Sequence, residues 1–431
     1  MNRKVRRKKK RRIRLLSLGL ILVVGILAAS FVVNRRGADR HNAGSDTVSD
    51  GVEPQETAKV PGSDESKKPK DKSNVTVNIK ATGDIMFHPS QLDGAYDPAT
   101  GTYDFHNSFK AVKDIFQSAD IAIANFEGTT ASDEVYDYQG YPLFNAPDEV
   151  LDAIKDTGFD VLSTVNNHCL DTRKAGVIRT LEQIKARGMD TIGTYTEKPK
   201  TRVLIKDVKG IKIAFLAYTE MVNGLETTMT PTDLDAMINI IDETKISEDI
   251  AYAKSQNADI IIAYLHWGDE YSRVQAQRQE VLADKLFTEG VDIIFGSHPH
   301  VIQPAQKLEY GGKTKFVAYS MGNFLSNQRT ETLVPYGMTE EVSKYTEDGV
   351  IVDVNIEKNG ETGEVSIKDV SYIPLWVYKG KTANGSIEHV VYPIMEYIES
   401  NELDNNAKSR MQRSLSNTSE QMELLESNTV E

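Results

Sequence analysis

From residue 75 onward the chain alternates short apolar runs with helical stretches, and this limits its fold more than any other feature. VTVNIKATGD (75–84) sets Val75, Val77, Ile79 and Ala81 on one face and breaks at Gly83, as a strand entering a loop does. Helical text over 109–118 precedes IAIANFE (121–127), and a second helix over 147–157 precedes FDVLSTVNNH (159–168). A third over 174–187 precedes DTIGTY (190–195). IKIAFLAY (211–218), a helix over 246–255, ADIIIAYLHWG (258–268), a helix over 277–288 and VDIIFGSHPH (291–300) continue the series. Strands alternating with helices predict an α/β domain with a largely parallel sheet and covering helices. KFVAYSMGNF (315–324), GVIVDVNIEK (349–358) and GEVSIKDVSYIPLWVYK (363–379), with turns such as Lys358-Asn359-Gly360, predict antiparallel strands completing it. Residues 379–431 read as a helix and a polar, acidic tail, expected to be exposed or frayed.

Five of these strands end in polar residues that a core strand does not need. They are Asp84, then Asn125 with Glu127, then Asn166-Asn167-His168 with Asp171, then His266, then His298 with His300. Ligands of α/β sheets bind outside the carboxyl ends of strands, so the five groups can converge across 216 positions of sequence. Each has an ordinary reading when taken singly: a turn aspartate, a helix cap, a polar turn, a packed histidine. Their shared location favours one polar site. Carboxylate, amide oxygen and imidazole form the mixed donor set used for Zn, Mn or Fe. In His298-Pro299-His300 the proline biases the preceding residue towards extended geometry, where residues two apart project to the same side.

The blocks GDIMF, NFEG, NNHCLD, HWGDEY, GSHPHV and SMGNF, in this order, resemble the CapA family of capsule and poly-γ-glutamate biosynthesis proteins. That family is in turn similar to the calcineurin-like metallophosphoesterases. The resemblance spans roughly Val75 to Trp376 and implies a four-layer αββα sandwich with a divalent-metal site. It implies Asp84, Glu127, Asn167, His266, His298 and His300 as metal ligands. It further implies His168 as the residue acting on a leaving group, oriented by Asp171, with Asn125, Trp267, Glu270 and Asn323 as substrate contacts. One departure stands out: where the phosphoesterases have Asp-x-His, this chain has Asp84-Ile85-Met86, and a thioether is a poor ligand for hard divalent ions. His88 lies two residues on and could substitute. A one-metal site, an altered two-metal site and a degenerate binding pocket all remain open.

The first 33 residues differ from the rest. Ten Lys or Arg fall within 1–14, and LLSLGLILVVGILAASFVV (15–33) carries no charge. As a helix this run spans about 28 Å, close to a bilayer's hydrocarbon thickness. The basic flank predicts a cytoplasmic N-terminus, a single-pass anchor in the cell membrane and an extracellular body. A cleaved signal peptide competes, through Ala28-Ala29-Ser30, although the apolar run continues past that point. Residues 34–74, with eight positive and eight negative side chains and almost no large apolar groups, read as a flexible linker to a domain over 75–378.

The whole chain carries −13 and its first 14 residues +10, leaving −23 on residues 15–431. So acidic a body argues against nucleic acid as a partner. The single cysteine, Cys169, excludes an internal disulfide. No GxxxxGK[ST] phosphate loop occurs, which argues against an ATP-dependent ligase. The resemblance and the topology point to an accessory subunit of a capsule or poly-γ-glutamate synthesis and export complex. Its expected partners are the membrane, other subunits and an anionic polymer. A metal-dependent hydrolase of phosphoester or γ-glutamyl amide bonds, and a non-catalytic surface binding protein, are the alternatives.

Overall fold

The computed structural model describes residues 73–382 and 385–427, with side chains to residue 423. The basic segment, the expected anchor over 15–33 and the linker up to residue 72 lie outside the described residues. Among the described residues, no helix is long and apolar enough to cross a membrane.

The chain builds one sheet, leaves it to build a second, and returns. Its first strands are β1 (Val75–Ile85), a small hairpin β2 (Tyr96–Asp97) and β3 (Thr102–Tyr103), then β4 (Ile121–Phe126), β5 (Val161–Ser163) and β6 (Asp190–Ile192). The second sheet takes β7 (Leu204–Val208), β8 (Ile211–Thr219), β9 (Ile260–His266), β10 (Ile293–Ser297), β11 (Ala305–Tyr310) and β12 (Lys313–Ala318). The return segment adds β13 (Asn323–Leu325), β14 (Asp348–Lys358), β15 (Val365–Lys381) and β16 (Ile387–Pro393) to the first sheet. The first sheet runs β16-β15-β14-β1-β4-β5-β6 with β13 also on β1; the second runs β11-β12-β10-β9-β8-β7. β1, β4, β5 and β6 are mutually parallel, as are β8, β9, β10 and β12. Of the three segments expected to be antiparallel, 349–358 and 363–379 are found so as β14 and β15. By contrast, 315–324 pairs in parallel, through β12 with β10 and β13 with β1, and β16 arises in a stretch not expected to be a strand.

Period-two alternation decides which side chains meet. Val77, Ile79 and Ala81 of β1 pack with Ile123, Ile213, Phe215, Ile262, Phe295 and Val352 in a core between the two sheets. The intervening residues face helices. Ala122, Ala124 and Leu162 cover the helix α1 (Glu149–Thr157) through Val150, Leu151 and Ile154. On the far side, Ala214, Leu216, Ile261, Ala263 and Leu265 pack on α3 (Glu243–Ser255) and α4 (Gln277–Glu289). A further helix, α2 (Arg173–Ala186), runs between β5 and β6. Helix, sheet, sheet and helix therefore stack as four layers, the architecture the resemblance implies.

The C-terminal region differs from expectation. The boundary placed at residue 378 falls inside β15, which extends to Lys381 and pairs with β16 in the register Lys379↔His389. The last helix, α5 (Asn405–Ser427), is not an exposed tail, because Met411, Ser414, Thr418 and Met422 lie at helical spacing and are buried. Met411 packs with Trp376, Tyr392 and Leu403.

Candidate metal centre

Every strand-end group named from sequence, except Glu270 at the rim, is buried at the carboxyl ends of β1, β4, β5, β9 and β10. Both sheets contribute, and their relative placement is fixed just below the site by the Tyr264 hydroxyl, which donates to the Thr82 carbonyl at 2.7 Å. Gly83 explains the GD pair: a Cβ there would lie 1.9 Å from the carbonyl oxygen of Gly322. Only glycine lets β1 approach that turn closely enough for the Asp84 N–H to donate to the same oxygen at 3.0 Å.

Asp84 stands at the centre, fully buried. Its Oδ1 accepts from Asn125 Nδ2 at 2.8 Å, and its Oδ2 lies 3.1 Å from His300 Nδ1. Asn125 Nδ2 also donates to Glu127 Oε2 at 3.2 Å, so one amide bridges two carboxylates. The other oxygen of Glu127, Oε1, is buried with no hydrogen-bond partner, 3.7 Å from His300 Nε2 and 3.9 Å from His266 Nε2. Asn167 Oδ1 meets His266 Nε2 at 3.0 Å, and His266 Nδ1 meets the Ser297 hydroxyl at 2.9 Å. His298 Nδ1 is likewise buried and unpartnered.

The donor atoms form two adjoining groups. Asp84, Glu127 and His266 each bring one to within 4.8 Å of the others, and so do Glu270, His298 and His300. Burial, reinforced by Asp84, pushes the Glu127 carboxyl well above its usual range. Burial, then the neighbouring His298 and His300, hold His266 well below 6.5. Burial and His300 take His298 down to about 3. Burial also opposes a charge on His300, but Glu127 and Asp84 together outweigh it and raise that imidazole to about 9. These opposed shifts, with two orphaned buried donors, fit a set of groups shaped for a cation.

The His-Pro-His turn reaches the cluster by a different route from the extended one predicted. His298 has φ +100 and His300 φ +57, so both occupy a region that non-glycine residues rarely adopt. The Pro299 carbonyl accepts from the Tyr271 N–H at 2.7 Å, and Asn323 Nδ2 donates to the His300 carbonyl at 3.2 Å, which together hold the turn in place. The two rings still converge, 6.1 Å apart. His168 stands at the edge of the site. Its Nδ1 lies 2.8 Å from Asp171 Oδ2, and its ring packs edge-on against Phe144 at 4.7 Å. Burial raises the Asp171 pKa, partly countered by His168.

Three of the four expected substrate contacts are placed otherwise. Trp267 is fully buried on the helix side of β9, its Nε1 donating to the Tyr319 carbonyl at 2.9 Å. Strand alternation puts it on the opposite face from His266. Asn125 is consumed by its bridge and by accepting from Asn166 Nδ2 at 3.1 Å. Asn323, also fully buried, supports the His300 and Thr346 carbonyls from its place opposite Asp84 in the β1–β13 register. Glu270 alone is exposed, beside His298 and His300. Ser297 was missed, although it shares the face of Phe295 and precedes the two histidines in the same motif. Met86 is buried with its sulfur 4.0 Å from the Ser326 hydroxyl. His88 is not among the residues whose donor atoms group at the cluster, and its Nδ1 accepts from the Asn327 N–H at 3.3 Å.

A family model described as bacterial capsule synthesis protein PGA_cap matches residues 78–328. The chain is 28% identical over 323 residues to the capsule biosynthesis protein CapA of Bacillus anthracis, covering 72% of this chain and 70% of that protein. It is 29% identical over 319 residues to the PGA biosynthesis protein CapA of Bacillus subtilis, covering 72% and 75%. Among solved structures, the calcineurin-like phosphoesterase YfkN of Bacillus subtilis superposes with a TM-score of 0.40 at 16% identity, over 81% of this chain and 99% of that one.

Proposed function

This chain belongs to the bacterial capsule synthesis family, and from that premise we propose that it is a membrane-anchored, extracytoplasmic component of capsule or poly-γ-glutamate synthesis and export whose strand-end cluster holds a divalent metal. The observation that carries the metal reading is the convergence of five strand ends on one buried cluster in which Glu127 Oε1 and His298 Nδ1 have no partner. The uncharged run over 15–33 behind ten basic residues supports the anchored topology.

Asp84, Glu127 and His266 would supply one set of ligands and Glu270, His298 and His300 an adjoining set, with the Asn167 amide oxygen beside His266. A divalent ion there supplies Lewis-acid polarisation of a phosphoryl or carbonyl oxygen and activation of water. Met86 brings no hard donor, so this chain departs from a full two-metal ligand set at that position. A second reading, a metal-dependent hydrolase of phosphoester or γ-glutamyl amide bonds, draws on one specific feature. The carboxylate of Asp171 fixes the His168 ring, as it would for a group delivering a proton to a leaving atom.

The test replaces the native chain in capsule-forming cells with the His298→Ala/His300→Ala variant at matched protein level. Wild type restores capsule and the variant does not; full capsule with the variant would show the cluster to be dispensable. Turnover of a phosphoester or γ-glutamyl substrate by the wild-type chain, abolished by His168→Asn, selects the hydrolase reading over the accessory one.

A further inference from the structure

Beside the metal cluster lies a second group of side chains that the proposed function does not use. We propose that Arg329 and Lys379, framed by His389 and His88, form an anion-binding subsite that seats a carboxylate or phosphate group of the molecule acted on at the cluster. The proposal rests on the metal-site reading for its meaning, and its own observations are independent of it.

The subsite is assembled from distant segments. Asn327 and Arg329 follow β13, Lys379 lies on β15, His389 faces it from β16, and His88 follows β1. Asn327 ties them together. Its side-chain oxygen accepts from Lys379 Nζ at 2.9 Å and from His389 Nε2 at 2.9 Å, while its backbone N–H donates to His88 Nδ1 at 3.3 Å. Arg329, 3% exposed, donates from Nη2 to the Val377 carbonyl at 2.6 Å, but its Nε is buried with no partner. His389, also 3% exposed, donates from Nε2 to Asn327, so its Nδ1 is a buried acceptor and the ring frames the two cations rather than contacting an anion. An orphaned buried polar group costs about 1–3 kcal/mol. The orphaned Arg329 Nε, on the guanidinium that reaches Val377 two residues before Lys379, is a donor for which the described residues supply no acceptor.

The charge balance points the same way. Among the described residues, no carboxylate forms an ion pair with Arg329 or Lys379. The nearby acids Glu331 and Glu347 are engaged by Arg410 instead, and Glu347 also accepts from Trp376 Nε1 at 2.9 Å. Burial, then the Arg329 and Lys379 cations, drive the His389 pKa down to about 2. A buried guanidinium beside a half-buried ammonium, neither paired with a carboxylate, is unfavourable without an anion to complete it.

Its position joins it to the metal cluster. His88 lies near enough to His300, His168 and Lys379 for each to disfavour its protonated form. Phe144 packs between the rings of His88, at 5.1 Å, and His168, at 4.7 Å. Gln328, between Asn327 and Arg329, accepts from Asn323 Nδ2 at 3.0 Å, beneath the His300 carbonyl. Arg329, Lys379 and His389 lie beyond the residues that the capsule family model matches. The subsite also answers how so acidic a body could engage a polyanion: the cations are local, not spread over its surface.

The test measures binding of inorganic phosphate and of a short γ-linked glutamate oligomer to the purified full-length chain by calorimetry at fixed salt, with bound metal quantified in parallel. At least one anion binds, and Lys379→Met weakens it about tenfold to a hundredfold, the loss of one charge-assisted hydrogen bond, with metal content unchanged. Lys379→Arg retains most of the affinity. The anion that loses more affinity in Lys379→Met identifies the source of the ligand. Arg329→Lys, which keeps a cation near the Val377 carbonyl but removes Nε, gives a second independent reading and also weakens binding. Failure of both anions to bind wild type, or unchanged affinity in both Lys379→Met and Arg329→Lys, overturns the proposal. A metal-free wild-type chain that still binds an anion through Lys379 would refute the metal reading and leave the subsite standing.

Discussion

Asn125 bridges the two buried carboxylates of the cluster, and its removal has a calculable cost. Its Nδ2 donates to Asp84 at 2.8 Å and to Glu127 at 3.2 Å inside a fully buried site. Hydrogen bonds to charged groups contribute about 1.5–3 kcal/mol, and the shorter bond to Asp84 falls in the upper half of that range. The Glu127 bond is longer, and it meets a carboxyl pushed towards its neutral form, so about 1 kcal/mol is appropriate. Asn166 loses one acceptor but keeps the Phe126 carbonyl at 2.8 Å, so its share is small. Asn125→Ala should therefore destabilise the metal-free chain by about 3–4 kcal/mol. Asn125→Asp places a third carboxylate beside Asp84 and Glu127 and should cost more, but added Mn²⁺ or Zn²⁺ should recover much of that loss while recovering less for Asn125→Ala. Urea unfolding of the full chain in chelator, followed by tryptophan fluorescence, reads this directly. Trp267 and Trp376 are buried in different layers and report both sheets. A loss below about 1 kcal/mol for Asn125→Ala, the range of an unremarkable surface substitution, would refute the bridging role.

Two further perturbations test the framework around the cluster. Gly83→Ala should cost several kcal/mol and release Asp84 from its position, because the new methyl would meet the Gly322 backbone oxygen at 1.9 Å, and limited proteolysis would register the loosened turn. Asp348, buried against α5 and accepting from Asn417 Nδ2 at 2.8 Å, is raised to about 7, chiefly by burial. A carboxyl whose folded pKa lies above its unfolded value contributes stability that is full below the unfolded pKa, near 3.8, and lost as pH rises towards 7. Asp348→Asn should abolish that decline and be more stable than wild type at pH 7; an unchanged pH profile of the unfolding midpoint would count against the assignment.

Much of this was legible because strands obey a strict period. Asp84, Asn125, His266 and His298 each close an apolar run, and the sheets bring the ends together whatever the sequence distance. The same period could have excluded Trp267: Tyr264 lies in the inter-sheet core with His266 on its face, whereas Leu265 and Trp267 face the helices. Asn125 carries no mark in sequence that separates a ligand contact from a bridge between carboxylates, since that depends on where Asp84 and Glu127 end up. The positive φ of His298 and His300 was illegible for a related reason. Local preference before proline favours extended backbone, and the packing of Tyr271 and Asn323 around the turn overrides it. The group around Asn327 arises from the β15–β16 register and from the segment after β13, neither of which a motif announces.

The central claim is that five strand ends form a metal centre, and direct metal analysis of the full-length chain tests it. The account predicts that the purified wild-type chain retains Mn, Zn or Fe through dialysis, that Glu127→Gln and His298→Ala each lose it, and that Trp267→Phe keeps it. A folded wild-type chain that holds no divalent ion, before or after incubation with these metals, would contradict it.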